Sequence, residues 1–373
     1  MCTIVQNLVG AKEGTLKEMN FKKVSLLVLF MSVLIIAACG KAEETSSDDK
    51  SGKGEVETVT YENSYELSLG TERDSDTEAV KETVELPKNS DKVLVMDLGV
   101  ASTFAALGLE DKIIGLPKGD GNSVLGEELE NFKDEKFANL GGLKEPDFEQ
   151  VAMLDPEVIM ISGRQANSDT IDELKKAAPN AKIVYVAANP NTYFEDVKKM
   201  TTFLGEMYDK QDEAKKLVED FDNKVEEIHS EVEASDKEMM FIQTNGGDLS
   251  LHGPQGRYDF LYSALGFKSA GEIPDEKEQK QASTSHGNQV SYEYVAKNNP
   301  GIILVMDRGA AISDGKDATK TDVIKTEVTK NVDAIKNDAI YELDSVTWYL
   351  NSGGYKTAMS QLEEIHTIVQ ESK

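Results

Sequence analysis

Residues 147–164 read DFEQVAMLDPEVIMISGR, and residues 291–308, at a constant offset of 144, read SYEYVAKNNPGIILVMDR. Matching positions in the two stretches are Glu149 with Glu293, Val151 with Val295, Ala152 with Ala296, Pro156 with Pro300 and Arg164 with Arg308. In each copy a short helix that carries the glutamate leads through the proline into a run of apolar residues typical of a buried strand. Identities at one offset, with a matching hydrophobic profile, predict a related supersecondary unit in each half of the chain.

The repeated strand decides the fold class. A strand that is apolar on both faces belongs in a parallel sheet covered by helices. Further strand candidates alternate with helical segments, at residues 93–97, 183–186 and 239–243. Helix ends closed by a glycine also recur, at Gly108 and Gly266. The sequence therefore predicts an α/β fold in both halves.

Residues 211–234 predict a long connecting helix. This stretch contains neither glycine nor proline, and its apolar residues recur every three or four positions, on one helical face: Leu217, Phe221, Val225, Ile228 and Val232. An ordinary surface helix is the alternative, but the position between two repeated units favours a strut. We therefore predict two Rossmann-like lobes with parallel-rich sheets, at residues 56–210 and 235–373, joined by this backbone helix, with a ligand cleft between the lobes.

Arginine is rare in this chain and marks the predicted cleft. Of the forty Lys and Arg residues only four are arginine. Arg164 and Arg308 follow the repeated strands, and ligands of parallel α/β sheets bind beyond the carboxyl ends of strands. Arg257 lies in the turn-like segment GPQGR. A planar guanidinium binds delocalised anions with a fork of donors, so we expect an anionic ligand. Pairing of an arginine with a neighbouring carboxylate such as Asp307 is the alternative.

Charge excludes other partners. The net charge of −28 argues against nucleic acid or an anionic membrane surface as the partner.

The N-terminus indicates export. Lys22 and Lys23 precede an uncharged apolar run at residues 24–36, so residues 1–38 predict a cleaved signal peptide. A transmembrane anchor is the alternative, but the run is shorter than the roughly 20 residues that a spanning helix needs.

The sequence Ile36-Ala37-Ala38-Cys39 resembles the lipobox of bacterial lipoproteins, in which the cysteine is lipidated and becomes the first mature residue. The other cysteine, Cys2, would be lost on cleavage, which leaves no disulfide. Residues 39–55 lack large apolar side chains and predict a disordered tether. We expect a chain anchored by lipid on the outer face of the cell membrane. Met19 is an alternative start to Met1.

The lipobox, the two lobes, the long helix and the paired glutamate-bearing units resemble the substrate-binding lipoproteins of ABC importers for ferric siderophores, haem or cobalamin, the helical-backbone class III. The resemblance covers roughly residues 56–373. Within that class, five segments resemble the catecholate-siderophore branch, which includes petrobactin binders: ISGRQ at 161–165, GPQGR at 253–257, STSHGN at 283–288, MDRG at 306–309 and WYL at 348–350.

The resemblance implies roles for individual residues. It implies that Arg164, Arg257 and Arg308 line the cleft and neutralise an anionic ferric catecholate complex. It also implies that His286 and Tyr349 can complete the iron shell when the siderophore leaves a coordination site open, which is consistent with the preference of ferric iron for oxygen ligands and its acceptance of imidazole. Aromatic side chains, Trp348 and Tyr349 among them, could form walls of the cleft.

The resemblance implies an importer partner as well. A surface glutamate on each lobe, here Glu149 and Glu293, would dock onto arginines of the membrane permease, although an exposed helical carboxylate needs no such role. We expect a monomer that is not an enzyme and has no intrinsic cofactor, since its iron arrives within the ligand.

Other functions fit the sequence less well. A hydrolase would need a nucleophile elbow such as G-x-S-x-G, which the sequence lacks. A zinc or manganese carrier would use several histidines as ligands, and the chain has four scattered ones. A surface adhesin would leave the paired arginines without a role. Haem or cobalamin is the alternative ligand within the class, because two haem propionates could use the same arginines; three arginines favour the more highly charged complex.

Overall fold

The computed structural model of the chain describes residues 57–71, 75–271, 287–313 and 321–372. The predicted signal peptide, Cys39, the tether and His286 lie outside these residues. No helix in the described ranges combines the length and the apolar character needed to cross a membrane.

Strands and helices alternate through most of the described chain. The strands are β1 Thr58–Ser68, β2 Thr77–Pro87, β3 Val93–Val95, β4 Ile113–Leu116, β5 Ala138–Asn139, β6 Val158–Ile161, β7 Lys182–Tyr185, β8 Glu238–Asn245, β9 Asp248–His252, β10 Lys268–Ser269, β11 Asn288–Val290, β12 Ile302–Asp307 and β13 Ile340–Glu342. The α-helices are α1 Leu98–Ala106, α2 Phe148–Leu154, α3 Ser168–Ala177, α4 Tyr193–Met207, α5 Gln211–Glu233, α6 Phe260–Ser263, α7 Tyr292–Asn298, α8 Arg308–Ile312, α9 Asp333–Lys336, α10 Ser345–Tyr349 and α11 Tyr355–Glu371. Short 3-10 turns cover Glu110–Lys112, Asp120–Asn122, Glu127–Lys133, Pro190–Thr192 and Thr321–Ile324.

Each lobe is built on a sheet with a parallel centre. The N-terminal sheet has the order β5-β4-β3-β6-β7 and is parallel throughout. In the C-terminal sheet, β8, β12 and β13 are parallel, β9 and β11 add antiparallel strands, and β10 pairs with the start of β8. The predicted α/β class with two lobes is confirmed.

The sequence repeat corresponds to a structural one. Helices α2 and α7 have the same length, and each begins at a residue whose side chain caps it, Asp147 and Ser291. Each ends at a left-handed residue, Asp155 with φ 45° and Asn299 with φ 44°. Asp and Asn tolerate this conformation better than most residues, and it stops the helix before the proline. The strands that follow, β6 and β12, are fully buried in the two sheets.

Helix α5 and an aromatic cluster join the lobes. One face of α5 is buried, at Ala214, Phe221, Ile228 and Val232. Phe194 of α4 packs edge-on against Phe221, with ring centroids 5.1 Å apart, and lies 4.9 Å from Phe260 of the C-terminal lobe. The same cluster includes Trp348. The lobes therefore share one hydrophobic core at the base of the cleft.

The lobes also touch through backbone atoms. At the start of α11, a Cβ atom placed on Gly354 would lie 1.6 Å from the carbonyl oxygen of Gly99 in α1. Beside this contact, Tyr355 N–H donates to Thr103 Oγ1 at 2.9 Å. Only glycine permits such a close approach.

A β-hairpin not foreseen in the sequence analysis, β1 with β2, covers the edge of the N-terminal sheet. The Tyr61 hydroxyl donates to the Tyr185 carbonyl at 2.7 Å, and Tyr185 N–H donates to Asn63 Oδ1 at 2.9 Å. These bonds occupy backbone groups of the edge strand β7, which would otherwise be open to another chain.

Replacing Gly354 with alanine should lower the free energy of unfolding by about 1–3 kcal/mol, because the new Cβ overlaps the Gly99 backbone and forces α1 and α11 apart. Gly142→Ala is the matched control, since a Cβ there meets nothing within 4 Å. Urea unfolding followed by the fluorescence of the single tryptophan measures both. Equal stability of the two variants would contradict the close contact.

Candidate functional site

A cavity of about 310 Å³ lies between the lobes, at the carboxyl ends of the parallel strands. Its lining includes Asp97, Arg164 and Tyr185 from the N-terminal lobe and Arg257, Leu350 and Gln361 from the C-terminal lobe. Asp97, Arg164 and Tyr185 follow or end β3, β6 and β7. Placement of the site therefore agrees with the general rule for parallel sheets.

Arg164 is held by a buried turn. The Gln165 side chain is fully buried, and its Oε1 accepts from Ser162 N–H at 3.1 Å and from Ser162 Oγ at 2.8 Å. Gln165 Nε2 donates to the Leu143 carbonyl at 2.5 Å, which fixes the turn to the neighbouring loop. Arg164 Nη2 then reaches the Leu350 carbonyl of the other lobe at 3.5 Å.

The cavity carries more positive than negative charge. Its charged lining residues are Arg164, Arg257 and Asp97. Burial lowers the pKa of the Arg164 guanidinium; Asp97 opposes this effect and Arg257 adds to it. Burial raises the pKa of Asp97, against the hydrogen bond from Val100 N–H and the charge of Arg164. Two partly dehydrated guanidiniums beside one carboxylate favour entry of an anion.

Arg257 lies between two aromatic rings. It follows β9 in the turn before α6, and its Nη2 donates to the Tyr349 carbonyl at 2.7 Å. The centre of the guanidinium lies 4.7 Å from the Tyr349 ring centroid and 5.4 Å from that of Tyr258. These cation–π contacts orient the planar group.

Arg308 contacts the same tyrosine through its hydroxyl. As the first residue of α8, it donates from Nε to Tyr349 Oη at 2.8 Å and from Nη1 to Asn245 Oδ1 at 3.3 Å. Arg308 does not belong to the lining of the 310 Å³ cavity. The structure thus places Arg164 and Arg257 in one cavity and connects Arg308 to them through Tyr349.

The hydrogen bonds recorded for the three guanidiniums go to neutral oxygens, namely two carbonyls, a phenol and an amide. Among the described residues, Tyr349 and Asn245 therefore hold the Arg308 side chain, rather than an ion pair with Asp307. The carboxylate of Asp307 instead caps α8, where its Oδ1 accepts from Ala310 N–H at 3.2 Å.

Trp348, which the sequence analysis placed among the ligand-binding residues, does not belong to the lining of the 310 Å³ cavity. Its side chain is fully buried, packs against Phe241, Tyr258 and Phe260, and donates from Nε1 to Glu364 Oε2 at 2.5 Å. The large apolar ring gains most by burial in the core. Trp348 supports the adjacent Tyr349, which is mostly buried but keeps its hydroxyl on Arg308.

Glu149 and Glu293 are exposed at equivalent positions of α2 and α7. The pKa of Glu293 is lowered by hydrogen bonds from its own backbone N–H and from Ser291. In the described part of the chain, no group of three or more His, Cys, Asp or Glu side chains could hold a metal ion.

Asp97 and Gln361 are among the lining residues that sequence reasoning missed. Asp97 ends the strand candidate at residues 93–97, so the rule that identified Arg164 could have found it as well. Gln361 lies on a long amphipathic helix, where sequence alone does not distinguish it from other polar positions.

Comparison with known proteins identifies relatives of this architecture. Residues 93–347 match the family model described as periplasmic binding protein. The petrobactin-binding protein YclQ of Bacillus subtilis (strain 168) is 35% identical over 345 residues, which is 92% of this chain and 98% of that protein. Its crystal structure matches with a TM-score of 0.69 at 34% identity, over 82% of this chain and 99% of that one.

Two further solved structures are similar. The iron uptake ABC transporter substrate-binding protein PiuA of Streptococcus pneumoniae has a TM-score of 0.66 and 30% identity, and the match covers 76% of this chain and 94% of that one. The periplasmic catecholate-siderophore binding protein VctP of Vibrio cholerae has a TM-score of 0.68 and 25% identity, over 83% of this chain and 100% of that one.

Gln165→Leu should lower the free energy of unfolding by about 1–3 kcal/mol, because it leaves the buried Ser162 N–H and the Leu143 carbonyl without partners. Gln289→Leu, at an exposed position of β11, is the control and should change stability by less than about 0.5 kcal/mol. Denaturant unfolding of both variants tests the role of this turn, and a neutral Gln165→Leu would refute it.

Proposed function

We propose, since this chain belongs to the periplasmic binding protein family, that it captures a ferric catecholate siderophore of the petrobactin kind and delivers it to an ABC permease for iron uptake. The observation that supports this most is the pair of half-buried arginines, Arg164 and Arg257, in one cavity with hydrogen bonds to neutral oxygens. The match to a petrobactin-binding protein over nearly the whole chain agrees with an anionic iron complex as the ligand.

Charge complementarity explains how the cleft would hold such a ligand. A tris-catecholate complex of Fe³⁺ carries about three negative charges, which Arg164, Arg257 and Arg308 can offset. Each charge-assisted contact contributes roughly 1.5–3 kcal/mol. The guanidiniums are already oriented by carbonyls and aromatic rings, so little ordering is needed on binding. Capture needs no covalent step, and we propose a binding protein rather than an enzyme.

Tyr349 is the residue we propose as an additional oxygen ligand of iron. Its hydroxyl lies against Arg308 and its ring against Arg257, so a phenolate there would face two cations. Ferric iron favours such an oxygen. From sequence alone, His286 is a second candidate for an open coordination site.

Delivery requires a defined position and a docking surface. We propose that residues 1–38 are removed, that lipid on Cys39 and a tether at residues 39–55 hold a monomer at the outer face of the cell membrane, and that Glu149 and Glu293 contact arginines of the permease. The lipobox supports the anchor, and the equivalent, exposed positions of the two glutamates support the docking.

Titration with ferric petrobactin, ferric tris-catechol and haem tests the ligand class. The fluorescence of Trp348, which is buried next to Tyr349, should be quenched by the ferric catecholates. Arg164→Ala and Arg257→Ala should each weaken binding at least about tenfold, through loss of a charge-assisted contact. Lys175→Ala, an exposed cation on α3, is the control. Absence of quenching by any catecholate, or undiminished affinity of the Arg164→Ala/Arg308→Ala double variant, would sink the proposal; binding of haem alone would favour the haem alternative.

The double variant Glu149→Ala/Glu293→Ala should bind ferric petrobactin as the wild type does but support at least about tenfold slower iron uptake, because both charged contacts to the permease are lost. Uptake of radioactive iron by cells that carry each variant measures this. Glu206→Ala, an exposed carboxylate on α4, should leave uptake unchanged. Normal uptake by the double variant would place the permease contact elsewhere.

A further inference from the structure

Among the described residues, one buried donor that lines the cavity has no hydrogen-bond partner. Gln361 of α11 is only 1% exposed and belongs to the cavity lining. In the described part of the chain, its Nε2 makes no hydrogen bond. Native proteins rarely leave a buried amide nitrogen unpaired, and each such group calls for a specific reason.

A chain of hydrogen bonds fixes the orientation of this amide. The backbone N–H of Gly353 donates to Tyr193 Oη at 3.0 Å, and Tyr193 Oη lies 2.8 Å from Gln361 Oε1. A backbone N–H can only donate, so Tyr193 Oη accepts the hydrogen bond from Gly353. The Tyr193 hydroxyl must then donate its own hydrogen bond to an acceptor, which is Gln361 Oε1. Turning the amide over would leave that phenol proton without an acceptor. The NH₂ group is therefore the end of Gln361 left over for another molecule.

We propose that Gln361 Nε2 donates a hydrogen bond to an anionic oxygen of the bound ligand, a catecholate or a carboxylate, on the inner wall of the cavity formed by Tyr193, Gly353 and Gln361. The identity of the ligand rests on the proposed function. Because Arg164 and Arg257 line the same cavity, an anionic oxygen is the acceptor that the local charge favours. An NH₂ group also rejects ligand donors such as a protonated amine at this point, which an acceptor-rich wall would accept.

The hydrogen bond from Gln361 would fix the orientation of the bound ligand, whereas the charges of the arginines would attract it into the cavity. A guanidinium attracts an anion over several ångströms in many orientations, whereas a neutral amide is effective only at hydrogen-bond distance and within a narrow range of angles. Since Tyr193 and Gly353 hold the amide in place before the ligand arrives, Gln361 selects complexes that present an oxygen at this depth of the cavity.

Two variants of Gln361 and one matched control test the inference. Gln361→Met keeps the length of the side chain and removes the donor; Gln361→Glu keeps the Oε1 acceptor for Tyr193 and replaces only the donor. Affinity for ferric petrobactin should fall at least about tenfold in the first, as for loss of a hydrogen bond to a charged group, and further in the second, whose carboxylate repels the anionic oxygen. Gln370→Met, exposed on the same helix, should bind normally. If Gln361→Met does not fold, the affinity of Gln361→Glu is compared with that of the wild type instead.

The outcomes separate this inference from the proposed function. If Arg164→Ala loses affinity while both Gln361 variants stay within about twofold of the wild type, the amide serves a buried water or the fold alone, and only the inference falls. If the wild type binds haem instead, the same series is run with haem, whose propionates are acceptors, and a loss in both Gln361 variants supports the donor although the catecholate proposal fails. If neither ferric petrobactin nor haem binds, both fall.

Discussion

The backbone contact between Gly99 and Gly354 sets the distance between the lobes, and the site depends on it. The residue before this contact, Gly353, donates to Tyr193, and Tyr193 in turn orients Gln361 on the cavity wall. A few residues earlier, the Tyr349 and Leu350 carbonyls accept from Arg257 and Arg164. The segment from Tyr349 to Gly354 therefore joins the lobes and bonds to side chains that line the cavity. A change of lobe spacing would disturb both at once, and the shared aromatic core resists such a change.

Neighbouring residues at the start of this segment have different roles, since one packs in the core and the next contacts the arginines. Trp348 is buried in the core, and the next residue, Tyr349, has its hydroxyl on Arg308 and its ring against Arg257. Alternation of this kind lets a single short helix, α10, stabilise the C-terminal lobe and shape the cleft. Carbonyls, a phenol and an amide hold the arginines in place, and such neutral acceptors leave the net charge of the site unchanged.

Sequence patterns revealed those parts of the fold that local chemistry determines. The repeat around Glu149 and Glu293 corresponds to two helices with equivalent side-chain caps and left-handed ends, and Arg164 and Arg308 follow the two repeated strands, β6 and β12, as expected. The β1–β2 hairpin was not predicted because the hydrogen bonds that attach it to the sheet go to Tyr185, more than a hundred residues away in the sequence. The full burial of Trp348 and, among the described residues, the unpartnered amide nitrogen of Gln361 escaped notice for the same reason: both are properties of the packed structure, and neither has a local signature.

The hairpin connects the start of the described chain to the wall of the cavity. Thr58, the first residue of β1, pairs with Pro87, the last residue of β2. A pull on Thr58 would therefore separate the two strands one residue pair at a time from this end, rather than shear them past each other. After the first residue pairs have separated, the force would act on Tyr61 and Asn63, whose side chains form hydrogen bonds with the backbone of Tyr185. Tyr185 also lines the ligand cavity. A pull on Thr58 would therefore act on the cavity wall through Tyr61 and Asn63, and through Tyr65, whose ring stacks on that of Tyr185.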